Sequence, residues 1–361
     1  MLRFHPAVFA VGNDYQIIVT TKNKSFVKIK VGENEYVDDS NGILRSESLT
    51  HKINVPQDIL DEECMYTVIE TKITMRLAYF SKLGNVSEYN YRFRPVPENR
   101  IRFYHIADSH SDTVKPVKAA DYFGKIDFLI LNGDIAEDSG KISNFDTIFE
   151  ITDKLAKGEI PIVFARGNHD LRGAGAEFFA DYTPTLHGQT FYSFRLGKIW
   201  GLCLDCGEDK SDDNPEYGNT IACHQFRERE TKYIRDIIKH SYMEYNEESV
   251  RYKLVVVHNP FSHRFQPPFD IEEDTYREWC SLLRDIIMPD LMLCGHTHDF
   301  AVWEPGEEYD DYGQPCRMII GSKVDKNNSF GGVGVELDED EVKITFTEST
   351  GAKKKKILDI K

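Results

Sequence analysis

Ile160-Pro161-Ile162-Val163-Phe164-Ala165-Arg166-Gly167-Asn168-His169-Asp170 passes from an apolar run directly into a polar cluster, and the rest of the chain is read outward from it. The apolar part has the length and β-branched content of a strand buried on both faces. Gly167 permits a tight turn because it has no Cβ. Four further runs have the same form. Ile101–Ala107 leads into Asp108-Ser109-His110, and Phe128–Leu131 into Asn132-Gly133-Asp134-Ile135-Ala136-Glu137. Tyr252–Val257 leads into His258-Asn259-Pro260, and Leu291–Cys294 into Gly295-His296-Thr297-His298. Helical patterns near 143–157, 223–240 and 274–287 separate these runs. In the last, Tyr276, Trp279, Cys280, Leu283 and Ile287 form an apolar stripe, and Asp274 is placed to cap it. Strands alternating with helices predict a layered α/β domain.

In open α/β sheets, ligands gather beyond the carboxyl ends of the strands, so the five clusters are expected to converge. Asp108 with His110, and His296 with His298, are spaced by two, which puts both side chains of each pair on one side of an extended segment. The collected Asp108, His110, Asp134, Asn168, His258, His296 and His298 are nitrogen and hard oxygen donors without thiolate. Such donors suit Mn, Fe or Zn, and they are too many for one ion. Two transition-metal ions sharing a carboxylate fit the count.

Residues 1–97 have a different texture. Tyr15–Thr20, Ser25–Val31 and Met65–Leu77 are short runs rich in Val, Ile, Thr and Tyr. Turn residues such as Gly12-Asn13-Asp14, Gly32-Glu33-Asn34, Ser40-Asn41-Gly42 and Gly84-Asn85 divide them. This predicts a small antiparallel sandwich. Arg94-Pro95-Val96-Pro97-Glu98-Asn99 reads as a linker, which divides the chain at 1–97 and 98–361.

The ordered series Asp-x-His, Gly-Asp, Gly-Asn-His-Asp, His and Gly-His-x-His resembles that of calcineurin-like metallophosphoesterases, over about residues 100–337. The resemblance implies a β-sandwich flanked by helices, with the site at the sandwich edge. It implies one metal held by Asp108, His110, Asp134 and His298. A second would be held by Asp134, Asn168, His258 and His296, with Asp134 bridging. It further implies a bridging hydroxide as nucleophile on a small phosphorylated substrate and His169 as proton donor. Residues 1–97 resemble, more weakly, the fibronectin-like front domain of purple acid phosphatases. Those enzymes carry a tyrosine where this chain has Glu137, and they lack the ligand at His110, so the metal chemistry is expected to follow the broader family. Glu137 and Asp170 are rival partners for His169. Cyclic-nucleotide or nucleic-acid phosphodiester cleavage, and a non-catalytic scaffold on the same fold, are the alternatives; the scaffold reading expects lost ligands, and none is lost.

Arg166 and Arg172 flank the Gly-Asn-His-Asp cluster and could bind a phosphate through bidentate hydrogen bonds. His263 follows the His258 strand end and is a candidate for the pocket wall. Cys203, Cys206, Cys223 and His224 have zinc-like spacing but continue a strand pattern and read as buried thiols. The acidic loop 207–214 lacks the glycine of a calcium loop and reads as a solvated insertion.

Charge and composition narrow the classes. Residues 1–97 carry 12 basic and 12 acidic residues, so the formal net charge of −16 falls entirely on the rest of the 361-residue chain. A nucleic-acid partner is disfavoured, because counterion displacement needs a basic face. Lys353–Lys356 reads as a solvated tail. Seven scattered cysteines read as reduced thiols and point to the cytoplasm. No apolar run approaches the ~20 residues of a membrane span, and Ala7–Val11 is too short for a secretory core of ~7–15 residues.

Overall fold

In the computed structural model, residues 1–39, 42–324, 329–339 and 341–359 are described, and the expected turn at Ser40-Asn41 lies outside them. The N-terminal part forms β1 (Ala7–Val11), β2 (Asp14–Thr20), β3 (Ser25–Val31), β4 (Asn34–Val37), β5 (Thr50–Pro56), helix α1 (Gln57–Glu63), β6 (Met65–Arg76) and β7 (Ser81–Arg92). After a stretch without regular structure come β8 (Ile101–Ile106), α2 (Lys115–Phe123), β9 (Phe128–Asn132), α3 (Asp146–Leu155), β10 (Ile162–Ala165) and α4 (Phe179–Tyr182). The second half contains β11 (Tyr192–Leu196), β12 (Ile199–Leu204), α5 (Cys223–Lys239), β13 (Tyr252–Val257), α6 (Glu273–Leu282) and β14 (Leu291–Cys294). It closes with β15 (Phe300–Trp303), β16 (Arg317–Gly321), β17 (Lys323–Val324), β18 (Phe330–Asp338), β19 (Glu341–Glu348) and β20 (Lys353–Asp359). The five expected strands are β8, β9, β10, β13 and β14.

One sheet runs β20-β19-β18-β8-β9-β10-β1-β2-β5, and a second runs β11-β12-β13-β14-β16-β15. They face each other across a core containing Phe103, Ile130 and Val163 from the first sheet and Leu254, Val256 and Leu293 from the second. Alternate residues point outward and are covered by helices, as parallel strands buried on both faces require. Ile106, Leu129 and Leu131 pack with Ala119 of α2 and Ile148 and Ile151 of α3. Leu202, Val255 and Met292 pack with Ile234 of α5 and Tyr276 and Trp279 of α6. The apolar stripe of α6 is therefore core, as its spacing predicts. The N-cap position is held by Glu272 rather than Asp274. The fold is α/β, with sheets flanked by helices.

The N-terminal strands divide between two layers. A separate antiparallel sheet, β4-β3-β6-β7, packs through Val27, Ile29 and Val68 against Ile17, Ile53 and Val55 of β2 and β5. The expected β-sandwich is thus present, but its second layer is the end of the large sheet. Strand pairing also crosses the boundary expected at 97: β1 lies parallel to β10, with Phe9 opposite Ile162. The physical reason is that β10 is wholly apolar and would leave an open parallel edge, which β1 covers. Every residue of Ala7–Val11 is buried. At the opposite end, Lys353–Lys356 departs from the expected tail: it is part of β20, paired to β19. Its exposed lysines charge an edge strand, which discourages further pairing.

Because Phe9 is fully buried and meets Phe164 edge to face at 6.3 Å, Phe9→Ala is expected to cost about 3–5 kcal/mol. Urea unfolding followed by far-ultraviolet circular dichroism should show one transition of the whole chain moving to lower urea. A loss confined to an early, partial transition would instead support separate folding units divided at residue 97.

Candidate metal centre

The strands β8, β9 and β10 run parallel in one sheet, and β12, β13 and β14 run parallel in the other. Their carboxyl ends meet at one edge of the sandwich, and a buried amide ties the two sheets there. Asn132 Nδ2 lies 3.1 Å from Val257 O and 3.0 Å from Leu293 O across the interface, and 3.0 Å from His105 Nε2. Burial pushes His105 down to about 3, so its ring is neutral and accepts from the amide. The main-chain oxygen of Asn132 in turn receives His258 Nδ1 at 2.7 Å. That bond leaves His258 Nε2 facing two carboxylates, 3.1 Å from Asp134 Oδ2 and 3.6 Å from Asp108 Oδ1.

The turns that follow the strands are left-handed. Asp108 (φ 52°), His110 (45°), Asp134 (53°), His296 (69°) and His298 (55°) all have positive φ. Such residues cost roughly 1–3 kcal/mol each and persist where surrounding structure over-determines them. Here the sharp reversal throws each side chain back over the sheet edge. Space is equally constrained: a Cβ on Gly295 would lie 2.6 Å from Asp108 Oδ2, and one on Gly133 2.6 Å from His258 Nδ1 and from the backbone of Gly167.

The seven expected ligands come together. Asp108 Oδ2 accepts from the His296 N–H at 2.9 Å and from the Ser322 hydroxyl. Its Oδ1 lies 3.3 Å from His298 Nε2, which is 3.2 Å from His110 Nε2. Asn168 lies 3.1 Å from His296 Nδ1. Burial raises Asp108 and Asp134, but the imidazolium of His258 outweighs it and holds both carboxyls below their usual range. Burial likewise opposes protonation of His258, yet Asp134 and Asp108 raise it to about 10. His296 is pushed down to about 4, first by burial and then by His258, and burial also lowers His110.

These residues fit bound cations. Asp108 Oδ1, His110 Nδ1 and His258 Nε2 are buried and face one another's groups or Glu137 only through ion-pair contacts, with no well-formed hydrogen bond among the described residues. Asp108, His110 and His298 form one group with ligand atoms within 4.8 Å of one another, and Asp108, Asp134 and His258 form a second. The carboxylate common to both groups is Asp108, whereas the resemblance implies Asp134 as the bridge. Asp134 Oδ1 meanwhile receives the His169 N–H at 2.9 Å. No cysteine belongs to any such group among the described residues, and Cys203, Cys206 and Cys223 are buried free thiols.

The expected catalytic residues sort differently. The ring of His169 hydrogen-bonds to neither rival carboxylate among the described residues: its Nδ1 lies 2.7 Å from the main-chain oxygen of Glu137. The Glu137 carboxylate instead lies 3.3 Å from His110 Nδ1. Asp170 is fully buried, and its Oδ2 accepts from the Gly167 and Asp134 N–H groups at 2.9 and 3.2 Å. It joins the two metal-side loops rather than orienting His169. Burial and Asp134 raise Asp170 to about 7.

Of the two arginines, Arg172 reaches the site and Arg166 does not. Arg172 Nη1 donates to His169 Nε2 at 2.8 Å, while Nε and Nη2 grip Glu208 at 2.9 and 3.0 Å. Arg166 turns aside to an ion pair with buried Asp205 at 2.7 Å and lies over the Phe226 ring. In that arrangement Arg166 makes no hydrogen bond to any candidate ligand among the described residues, unlike Arg172. His263 stands on the wall of a narrow cleft of about 20 Å³, with Asn259, Phe261, Phe265 and Tyr276, beside His296.

Sequence reasoning missed Asn132 and Glu208 as parts of the site. Asn132 had a signal, a polar residue ending an apolar strand before Gly-Asp. Glu208 had none: it sits in the acidic loop read as solvated, yet is 1% exposed. Arg172 and Tyr217, whose hydroxyl donates at 3.0 Å, hold it there.

Parallel strands in two packed sheets, with a histidine–carboxylate cluster at their shared carboxyl edge, define a hydrolase of phosphoric esters built around metal ions. The chain belongs to the calcineurin-like phosphoesterase family, which it matches over residues 101–300. That family implies a dinuclear metal centre, and the candidate ligands for one are in place. Among solved structures, a purple acid phosphatase from yellow lupin seeds superposes with a TM-score of 0.61 at 12% identity. The superposition covers 99% of this chain and 74% of that one, so the likeness of fold includes the N-terminal part. A conserved uncharacterised protein from Streptococcus pneumoniae, titled a predicted phosphoesterase, aligns at 12% identity and a TM-score of 0.33, covering 72% of this chain and 98% of that one. No curated protein matches the sequence.

Gly133→Ala is expected to disrupt this edge, because its Cβ would meet backbone atoms of Gly167 that cannot yield. Far-ultraviolet circular dichroism should show secondary structure retained. Elemental analysis after loading with Mn or Zn should show bound metal falling well below that of the unaltered protein; equal metal contents would contradict the packing argument.

Proposed function

We propose that the chain hydrolyses small phosphate esters at a centre in which Asp108, His110, Asp134 and His298 hold one ion and Asp134, Asn168, His258 and His296 a second, with Mn, Fe or Zn as the metals. The observation that carries this reading is the burial of two ionised carboxylates, Asp108 and Asp134, among four imidazoles at one strand-end edge. Two such cations supply Lewis-acid charge for phosphoryl oxygens and make water acidic enough to attack at neutral pH.

The remaining roles belong to the chain's own groups. Glu208 holds the Arg172 guanidinium bidentately, so the arginine is pre-oriented and still offers Nη1 to a phosphoryl oxygen. In donating to that oxygen it releases His169 Nε2, its present partner. His169 keeps Nδ1–H anchored on the Glu137 carbonyl and can then carry a proton on Nε2. From there the proton passes to the departing alkoxide, a contribution typically of ~10²–10⁴-fold. Asp170 and Asn132 are positioning residues: the first joins the Gly167 and Asp134 turns, the second fixes His258. All of these groups lie in residues 98–361, and residues 1–97 complete the sheet that supports them.

The aromatic wall of the cleft beside His296 is the surface against which the organic part of the ester would lie. Phe265 meets His296 edge to face at 5.6 Å, and His263 stacks on Tyr309 at 4.3 Å. Asn259 Oδ1 is buried there without a hydrogen-bond partner among the described residues. An aromatic wall with a free acceptor favours a planar ester group bearing an N–H donor. The same wall includes the carboxylate of Asp209, and the chain's net charge is −16. Both oppose a long polyanion such as nucleic acid.

Asp134→Asn removes a charge from both ion sites. Elemental analysis should find lower metal content, and turnover of p-nitrophenyl phosphate should fall by more than about a hundredfold. An unaltered protein that takes up no stoichiometric metal would sink the reading.

For His169→Ala the expectation is retained metal and fold, with a leaving-group dependence. Rates on an alkyl phosphate should fall much more than rates on an activated aryl phosphate, whose leaving group needs no proton. Equal losses across a leaving-group series would make His169 a structural brace.

A further inference from the structure

The tip of the β6–β7 hairpin gathers a run of exposed apolar side chains, on a sheet that contributes no residue to the candidate centre. Met75, Leu77, Tyr79, Phe80, Leu83 and Val86 are exposed, with Tyr79 at 91% and Phe80 at 77%. The strands pair up to Arg76 opposite Ser81, and the Leu77 N–H closes the turn on Phe80 O at 2.8 Å. Two-residue hairpin loops ordinarily use Asn-Gly, Asp-Gly or Gly-X to reach the required backbone. This one is Ala78-Tyr79, so neither turn chemistry nor burial accounts for the aromatic pair.

Charge supplies the second observation. Between Glu70 and Glu88 the chain carries Lys72, Arg76 and Lys82 and no acidic residue, in a protein whose net charge is −16. All three are exposed, and Arg76 donates to the neutral Ser81 hydroxyl at 2.7 Å. A collar of cations around projecting aromatic and aliphatic side chains is complementary to an anionic bilayer: the rings enter the headgroup level and the amines meet lipid phosphates. A protein partner fits less well. The tip is two strands wide, and a stable protein interface takes about 800 Å² from each side.

We propose that the β6–β7 hairpin tip docks this protein on the surface of anionic lipid membranes, through Tyr79 and Phe80 with Lys72, Arg76 and Lys82. The docking is peripheral: no helix among the described residues is long and apolar enough to cross a membrane. It is also independent of the phosphoesterase chemistry, because none of these residues belongs to the site.

Sedimentation of the full chain with vesicles tests it, using phosphatidylcholine alone and phosphatidylcholine mixed with phosphatidylserine. The unaltered protein should pellet with the mixed vesicles and be released by salt. The double variant Y79S/F80S should stay in the supernatant, and K72Q/R76Q/K82Q should bind about a hundredfold more weakly. Both should keep the circular dichroism spectrum and the p-nitrophenyl phosphate turnover of the unaltered protein. Failure of the unaltered protein to pellet, or binding by the variants equal to its own, would overturn the proposal. So would a dimer seen by light scattering that Y79S/F80S dissolves without any vesicle binding, since the patch would then be a surface for self-association.

Discussion

The side-chain amide of Asn132 reaches from one sheet to the main-chain oxygens of Val257 and Leu293 in the other. Two hydrophobic sheets pack face to face with little to set how far one slides along the other. A buried amide that must find its acceptors removes that freedom, because leaving it unsatisfied costs about 1–3 kcal/mol. The same residue fixes the ring of His258 through its carbonyl. One asparagine therefore sets both the registry of the sandwich and the direction in which a candidate ligand points. His105 completes the arrangement by remaining neutral beneath it.

Above that clamp the site is assembled from unfavourable parts. Five ligand candidates adopt left-handed backbone, and two carboxylates lie in an interior that opposes ionisation. Neither is tolerated without compensation. Among the protein's own groups, His258 supplies opposite charge, and the His296 and His169 N–H groups supply hydrogen bonds to Asp108 and Asp134. Asp170 joins the turns of Gly167 and Asp134 from below. Strain and buried charge together make the edge a preorganised cation site, so little reorganisation is left for binding.

The groups proposed to face an ester depend on longer connections. Arg172 comes to His169 because Glu208, 36 residues further on, folds back over the turn and grips it. The aromatic pocket is built from the segment after β13 and from side chains near α6 and β14. Beyond that edge, β1 seals the side of β10, so the N-terminal strands are continuous with the layer that carries the candidate site.

The sequence by itself determined the five strands, the polar clusters that end them and the α/β layering, because apolar period and glycine placement are local properties. The seven candidate ligands were legible for the same reason: each follows its strand within a few residues. Tertiary structure decided what depends on distant partners. It assigned Asp205 to Arg166 and Glu208 to Arg172, though the two arginines flank one cluster and look equivalent in the chain. It gave His169 a carbonyl instead of a carboxylate, since neighbours in sequence at a sharp turn point in different directions. It also joined residues 7–11 to β10, because an open apolar edge pairs with whichever strand the fold brings beside it, and no local pattern records which strand that is.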